Sequence, residues 1–447
     1  MVGDNGTGRT SVFDDHNPPA AELYKKCVHC GFCLPTCPTY ALWGEEMDSP
    51  RGRIHLMKQA AEGHADLTDS FVKHFDRCLG CMACMTSCPS GVRYDRLIEA
   101  TRAQLQRQYR RSPAEILHRQ WIFNLFPYRA RLRAALLPAW IYQASGLQAL
   151  VRGTGLLNLL PRKLRATEAL LPDITLDELF AHLPEHIPAQ GAARKRVGLL
   201  TGCVQSVLFS GVNAATARVL AAEGCEVIIP REQGCCGALT VHAGLEEKAL
   251  DFARKLIDVF DRANVDTIVI NAAGCGSTMK EYGYLLRHDA QYAARAEAFA
   301  ARCKDISELL AGLEPRAARH PLRLRVAYHD SCHLQHAQGV RLQPRQVLKT
   351  IPELQLLEVP DAAICCGSAG IYNLVQPDTA TELGDQKVEH CLSTRPDVLV
   401  SANPGCLVQL AAGLKRAGKQ VPVLHMIEVI DASIQGRPAS ALKAPKE

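Results

Sequence analysis

The chain has 447 residues, 47% of them hydrophobic and 22% charged, and a formal net charge of +5 at pH 7. This composition excludes disorder as the general state, and the length implies two to four domains with ample material for a core. Nineteen cysteines are the outlying number, and their spacing must decide between disulfides, zinc and iron–sulfur chemistry.

Residues 1–20 are polar and acidic and read as a disordered tail. They contain no apolar stretch of the signal-peptide kind, so no secretory signal is expected. Without export the cytosol keeps thiols reduced, and an odd cysteine count also fits disulfides poorly. Metal ligation is left as the main reading.

Residues 21–100 hold eight cysteines in two runs. One is Cys27-x2-Cys30-x2-Cys33-x3-Cys37-Pro38, the other Cys78-x2-Cys81-x2-Cys84-x3-Cys88-Pro89. A cubane cluster needs one thiolate per iron. Three cysteines at this spacing wrap one cluster, and the fourth reaches the other. One [4Fe–4S] cluster is therefore expected on Cys27, Cys30, Cys33 and Cys88, and a second on Cys78, Cys81, Cys84 and Cys37. A structural zinc site takes four ligands from paired knuckles and has no use for a third cysteine at this spacing or for the Cys-Pro ending. Arg53–Ala60 and Leu67–Phe75 read as helices. Forty residues between Cys37 and Cys78 are long for a βαβ ferredoxin, so a helical dicluster domain is expected over 21–100.

Residues 101–190 lack cysteine and read as a basic helical linker. Between 101 and 165 there are twelve Lys or Arg and one acid, Glu115, interleaved with Trp121, Phe123, Phe126, Tyr128, Trp140 and Tyr142. Such a segment suits an anionic partner, a membrane surface or an acidic protein face. Ala134–Val151 carries no charge but is interrupted by Pro138, Gln143, Ser145, Gly146 and Gln148, so it is a poor spanning helix. With Arg129, Arg131, Arg133 and Arg152 at its flanks it fits an interfacial segment, or a helix that docks on partner subunits.

The remainder is an internal repeat, read as two α/β domains at 191–315 and 320–440. Arg196–Cys203 matches Arg325–Cys332, Gly234-Cys-Cys-Gly237 matches Ile364-Cys-Cys-Gly367, and Asn271–Cys275 matches Asn403–Cys406. The cysteine offsets are 129, 130 and 131 residues, which indicates a duplicated, domain-sized unit. Expected strands are Arg196–Leu200, Val227–Pro230 and Val265–Ile270, then Leu324–Tyr328, Leu356–Val359 and Asp397–Ser401. A helix at Asn213–Glu223 is expected to end at Gly224. Strands separated by helices imply parallel sheets, whose ligand-bearing loops gather at the strands' carboxyl ends. Cys203, Cys275, Cys332 and Cys406 all fall there. Cys203, Cys235, Cys236, Cys275, Cys332, Cys365, Cys366 and Cys406 are thus candidates for a further metal site, the adjacent pairs bridging different irons. Buried structural thiols are the bland alternative. His329, His333 and His336 surround Cys332 as possible ligands or proton donors, and Cys225, Cys303 and Cys391 read as core.

The repeats resemble the cysteine-rich "CCG" domain of heterodisulfide reductase subunits, which hold noncubane [4Fe–4S] clusters. That pattern ends in C-x2-C, whereas Thr278 and Gln409 stand at those positions here, leaving four cysteines per repeat. The order of parts, with Cys27-Val-His-Cys-Gly-Phe-Cys33, Asp48-Ser-Pro-Arg-Gly-Arg53, Cys88-Pro-Ser-Gly-Val-Arg-Tyr94, Leu334-Gln-His-Ala-Gln338 and Cys365-Cys-Gly-Ser-Ala-Gly370, resembles the iron–sulfur subunit of glycolate oxidase (glycolate dehydrogenase) over roughly 20–435. The resemblance implies an α+β multidomain protein. It implies an electron-transfer subunit without a catalytic residue of its own, partnered by FAD-binding subunits that oxidise glycolate to glyoxylate and handing electrons to membrane quinone. No G-x-G-x-x-G follows a strand, and no DNA-reading motif suggests a nucleic-acid partner. The expected location is cytoplasmic, peripheral on the inner face of the cell membrane. Competing readings are the iron–sulfur subunit of a lactate or glycerol-3-phosphate dehydrogenase, a free-standing heterodisulfide-reductase-like enzyme, and an iron–sulfur sensor or scaffold.

Overall fold

The computed structural model describes residues 11–443. Of the expected disordered tail, residues 1–10 lie outside the described residues, and 11–20 correct the expectation. Phe13 is buried in the N-terminal core, and Asp14 accepts hydrogen bonds from Gln104 and pairs with Arg107 at 2.8 Å. An apolar side chain and a carboxylate with two partners give this short segment the contacts that ordering requires.

The N-terminal domain is helical, as expected. Its main helices are Pro50–Ala61, Asp69–Asp76 and Tyr94–Gln108. The first starts three residues before the expected Arg53, because Ser49 caps it by accepting from the Gly52 N–H and Pro50 occupies its first position. The second starts two residues after the expected Leu67, because the Thr68 hydroxyl is its cap. Met57, Phe71, Phe75, Leu97 and Ile98 form the core between them.

The first repeat builds a five-stranded sheet from β1 (His186–Ile187), β2 (Lys195–Leu200), β3 (Cys225–Ile228), β4 (Thr267–Ile270) and β5 (Cys303–Asp305) in the order β1-β3-β2-β4-β5. Only β1 is antiparallel. The second repeat builds β6 (Leu324–Tyr328), β7 (Leu354–Glu358), β8 (Val398–Ser401) and β9 (Val423–His425) in the order β7-β6-β8-β9, all parallel. Apart from β1 the two orders are the same, as duplication requires. Strand β3 begins two residues before the expected Val227, because Gly224 at φ +81° ends the preceding helix Ser210–Ala222 at once. Strands β1, β5 and β9 are too short to show a pattern in the sequence. Cys225, Cys303 and Cys391 are buried core residues, as read from the sequence.

The repeats share one hydrophobic core. Helix Ser210–Ala222 packs against helix Met426–Ile434, and Arg218 pairs with the buried Asp431 across the boundary at 2.8 Å. The N-terminal domain docks on both. Arg102 donates to the His242 carbonyl at 2.9 Å and to the Cys78 carbonyl, and Arg93 reaches Glu281 at 3.0 Å. Gly244, at φ +77°, lets the first repeat approach the helix Tyr94–Gln108 so closely that a Cβ there would lie 2.3 Å from the Arg102 carbonyl oxygen.

Part of the linker's basic charge is used inside the chain. Arg111 and Arg119 pair with Asp76 and Glu115, Arg129 donates to the Gly202 carbonyl at 2.9 Å, and Arg152 pairs with Glu168. Its outward face mixes apolar and basic groups, with Leu150, Leu156, Leu159, Leu160 and Leu164 exposed beside Arg162 and Lys163. The uncharged stretch breaks at Gly146, φ +75°, after helix Arg129–Ala144. Among the described residues no helix is long and apolar enough to cross a membrane.

Gly244→Ala is expected to lower the apparent Tm by several degrees, since the left-handed backbone alone costs about 1–2 kcal/mol in a residue with a Cβ. Gly153→Ala, where a Cβ would meet nothing within 4 Å, should leave the melting curve in place.

Candidate iron–sulfur centres

Eight cysteines of the N-terminal domain line two adjoining cavities. Cys27, Cys30, Cys33 and Cys88 border one, and Cys37, Cys78, Cys81 and Cys84 border the other, with Cys84 also reaching the first. Each cavity thus takes three cysteines from one run and the last cysteine from the other. Each run ends in Cys-Pro: Cys37 is the N-cap of helix Pro38–Trp43, and Cys88 precedes Pro89. The outer set is near the surface. Cys30 is exposed, and Val28 and Phe32 beside it are 67% and 68% accessible. The inner set is buried.

The buried thiols are poorly suited to stand alone. Burial pushes Cys81 up to about 12 and Cys33 up to about 11. A bound cation is what compensates thiolates in such a place. Cys78 goes the other way: burial raises it, but the guanidinium groups of Arg53 and Arg102 outweigh that and bring it below its ordinary value. Gly80 N–H also donates to Cys78 Sγ at 3.4 Å. Arg53 is fully buried in a network with Asp48 at 3.3 Å, and Asp48 also holds Arg77 at 2.7 Å and His74 at 2.9 Å. Arg53 Nη1 lies 4.0 Å from Cys37 Sγ. The motif Asp48–Arg53 is visible in the sequence; its place against two cysteines of the inner set is not.

The eight cysteines of the repeats converge as well. They do not form two separate sites. Cys203, Cys235, Cys236, Cys275, Cys332, Cys365, Cys366 and Cys406 all line one cavity of about 250 Å³ between the facing carboxyl ends of the two sheets. Cys203 and Cys235 sulfurs are 3.6 Å apart, and Cys332 and Cys365 sulfurs 3.8 Å. The repeats are stitched at the rim: Ala273 N–H donates to the Ala402 carbonyl at 3.2 Å, and Gly274 N–H to Asn403 Oδ1 at 3.3 Å. Phe126, Leu170 and Leu171 of the linker close the apolar side of the chamber, a role no periodicity announced. The Cys365 thiol is held well above its ordinary value by its contact with Cys332 and by burial, and Cys406 likewise by Cys366 and burial.

The inner set and the chamber touch. Leu79, Cys81 and Ala83 form one buried cluster with Cys332 and Cys365. Beside them His242 and His333 meet Nε2 to Nε2 at 2.7 Å, and His333 Nδ1 lies 3.4 Å from Cys332 Sγ. Burial pushes His333 down to about 4 and His242 well below its ordinary value, so both rings are neutral at pH 7 and one donates to the other. His242 carries no sequence signal. Gly80, at φ +63°, admits it: a Cβ there would sit 2.9 Å from the His242 ring. His336 bonds Thr86 Oγ1 at 2.8 Å and the Ala363 carbonyl at 3.0 Å.

The fold and these cysteines define an iron–sulfur protein, in which a dicluster domain is joined through a linker to a pair of cysteine-rich domains. Family models match in the same order: a 4Fe-4S dicluster domain at 23–92, the linker region of the glycolate oxidase iron-sulfur subunit at 114–171, and the cysteine-rich domain at 197–280 and 326–411. A "probable glycolate oxidase iron-sulfur subunit" of Bacillus subtilis is 40% identical over 410 residues, 90% of this chain and 92% of that one. The glycolate oxidase iron-sulfur subunit of Escherichia coli is 38% identical over 93% of this chain and 95% of its own. The chain belongs to the glycolate oxidase iron–sulfur subunit family. The lactate-type alternative is not favoured: lactate utilization protein A of an Exiguobacterium species is 29% identical and covers 54% of this chain.

Arg53→Met removes a positive charge beside the inner cysteines. The inner cluster is then expected to titrate at a lower potential in EPR-monitored redox titration, because a nearby cation favours the reduced state. Arg53→Lys keeps the charge and should shift it less. Arg53→Met also leaves Asp48 short of a buried partner, at a cost of about 3–5 kcal/mol read by denaturant unfolding.

Proposed function

We propose that this chain takes electrons one at a time from FAD-binding subunits of a glycolate-oxidising complex and conducts them to a membrane quinone. Cys27, Cys30, Cys33 and Cys88 hold the entry cluster, and Cys78, Cys81, Cys84 and Cys37 the inner one. The clusters supply one-electron couples, which split the two electrons released when glycolate becomes glyoxylate. The domain limits are taken at 21–100, 101–190, 191–315 and 320–440. The observation that carries the reading is the grading of exposure: the outer cysteines reach the surface, while the inner ones are buried against Cys332 and Cys365. A docked donor therefore meets the outer set, with Val28 and Phe32 as its apolar rim.

The chain's own residues insulate and bias the route. Leu79, Ala83 and Tyr372 keep water from the passage between the inner set and the chamber. Arg53 and Arg102 set its charge. Linker residues Leu156, Leu159 and Leu164, with Arg162 and Lys163 between them, form a surface suited to the headgroup region of an anionic bilayer.

The test uses the complex with its flavin subunits, purified anaerobically. Glycolate should develop the EPR signals of reduced clusters. Cys88→Ser should abolish glycolate-dependent quinone reduction while dye reduction at the flavin persists. Quinone reduction at the wild-type rate in that variant would refute the route. Separately, Leu156→Asp with Leu159→Asp should release the complex from washed membranes without changing its iron content; full retention would remove the linker as the anchor.

A further inference from the structure

The two repeats have the same topology and matching cysteines, yet they are not chemically equivalent, and a histidine makes the difference. Three histidines follow β6. Two have partners: His333 bonds His242, and His336 bonds Thr86 and the Ala363 carbonyl. The third, His329, is 1% accessible, and neither of its ring nitrogens makes a hydrogen bond of acceptable geometry, although the ring faces the Cys406 thiol. A buried imidazole left in this condition is costly, since its nitrogens have lost water and gained no hydrogen bond in exchange.

Its placement shows what would satisfy it. One ring nitrogen of His329 and the sulfurs of Cys366 and Cys406 all lie within 4.8 Å of one another, and all three residues are buried. Backbone bonds fix the ring's position: His329 N–H donates to the Val400 carbonyl at 2.8 Å, and its carbonyl accepts from the Ser401 hydroxyl at 3.2 Å. The donor set of one imidazole and two thiolates suits iron and zinc among biological metals. At the matching position of the first repeat, 129 residues earlier, stands Leu200, which is buried and has no donor atom. The first repeat therefore offers four cysteines, and the second offers four cysteines and a nitrogen.

We infer that the second repeat, and not the first, holds an iron–sulfur centre, with His329 as a nitrogen ligand beside Cys366 and Cys406. The inference rests on the reading of the chain as an iron–sulfur electron carrier and adds the site at which that carrier differs from an all-cysteine one. Replacing thiolate by imidazole removes negative charge from a cluster and raises its potential, as histidine-ligated two-iron centres illustrate. A centre of this kind beside the inner cysteines would lie downhill from them for an electron.

The experiment uses the full chain, purified anaerobically, with iron, zinc and acid-labile sulfide assays and pulsed EPR in the oxidised and reduced states. The wild type should contain iron beyond the about eight atoms of two cubane clusters, and should show the ¹⁴N coupling of a directly bound imidazole. His329→Cys should keep the excess iron and lose the coupling. His329→Ala and Cys366→Ser should lose both, while Cys236→Ser keeps both. Iron limited to the N-terminal eight, zinc in place of the excess iron, absence of the coupling in the wild type, its survival in His329→Ala, or loss of the excess iron in Cys236→Ser would each overturn the inference. If His329→Ala does not fold, the wild-type spectrum and His329→Cys decide. Loss of the N-terminal eight would instead count against the electron-carrier reading, which the nitrogen coupling does not report.

Discussion

Two parallel sheets of the same strand order present their ligand loops to one chamber only if their carboxyl ends face each other. The packing of helix Ser210–Ala222 on helix Met426–Ile434 imposes that arrangement. Val212, Ala215 and Val219 on one side and Ile427 and Ile430 on the other bury a continuous apolar interface, and Arg218 clamps Asp431 over it. A non-obligate domain contact would allow the repeats to slide. A shared core does not, because displacement would open voids in close-packed material. Everything at the chamber follows from this constraint, down to the bonds between Ala273 and Ala402 and between Gly274 and Asn403.

The N-terminal domain is held against this pair by contacts that also shape its cysteine loops. Arg102 binds the carbonyls of Cys78 and His242 at once, so the loop that carries the inner cysteines and the helix end that carries His242 are set by one guanidinium. Gly80 and Gly244 are the positions where the backbones come too close for a side chain. The result is a buried contact between Cys81 and Cys332, held both by the close approach of the backbones and by the Arg102 hydrogen bonds.

Duplication supplied a chamber with approximate symmetry, and later divergence removed the symmetry where the chemistry is. Leu200 and His329 hold matching places behind matching cysteines, one apolar and one a ligand type. The linker adds a second asymmetry. Phe126, Leu170 and Leu171 cover the chamber on one side, and Arg111, Arg119 and Arg129 are folded inward to hold this cover in place. Buried arginines need partners, and carboxylates at Asp76 and Glu115 provide them.

The sequence by itself determined the class of chemistry, the internal repeat and the α/β character of its units. These are local or periodic properties: cysteine spacing is a ligand geometry, and strand and helix periods report which faces are buried. It also set aside Cys225, Cys303 and Cys391 as core, since they fall outside the repeated pattern. The burial of Phe13, the inward use of the linker arginines, the His242–His333 pair and the merging of two cysteine sets into one chamber were decided by tertiary structure alone. Most of these contacts join residues far apart in the chain, such as Arg111 with Asp76 and His242 with His333, which spacing along a chain cannot relate. The histidines show the division most plainly: three of them surround Cys332 in the sequence with nothing to rank them, and only the tertiary structure gives His333 and His336 their partners and leaves one ring nitrogen of His329 beside the Cys366 and Cys406 sulfurs.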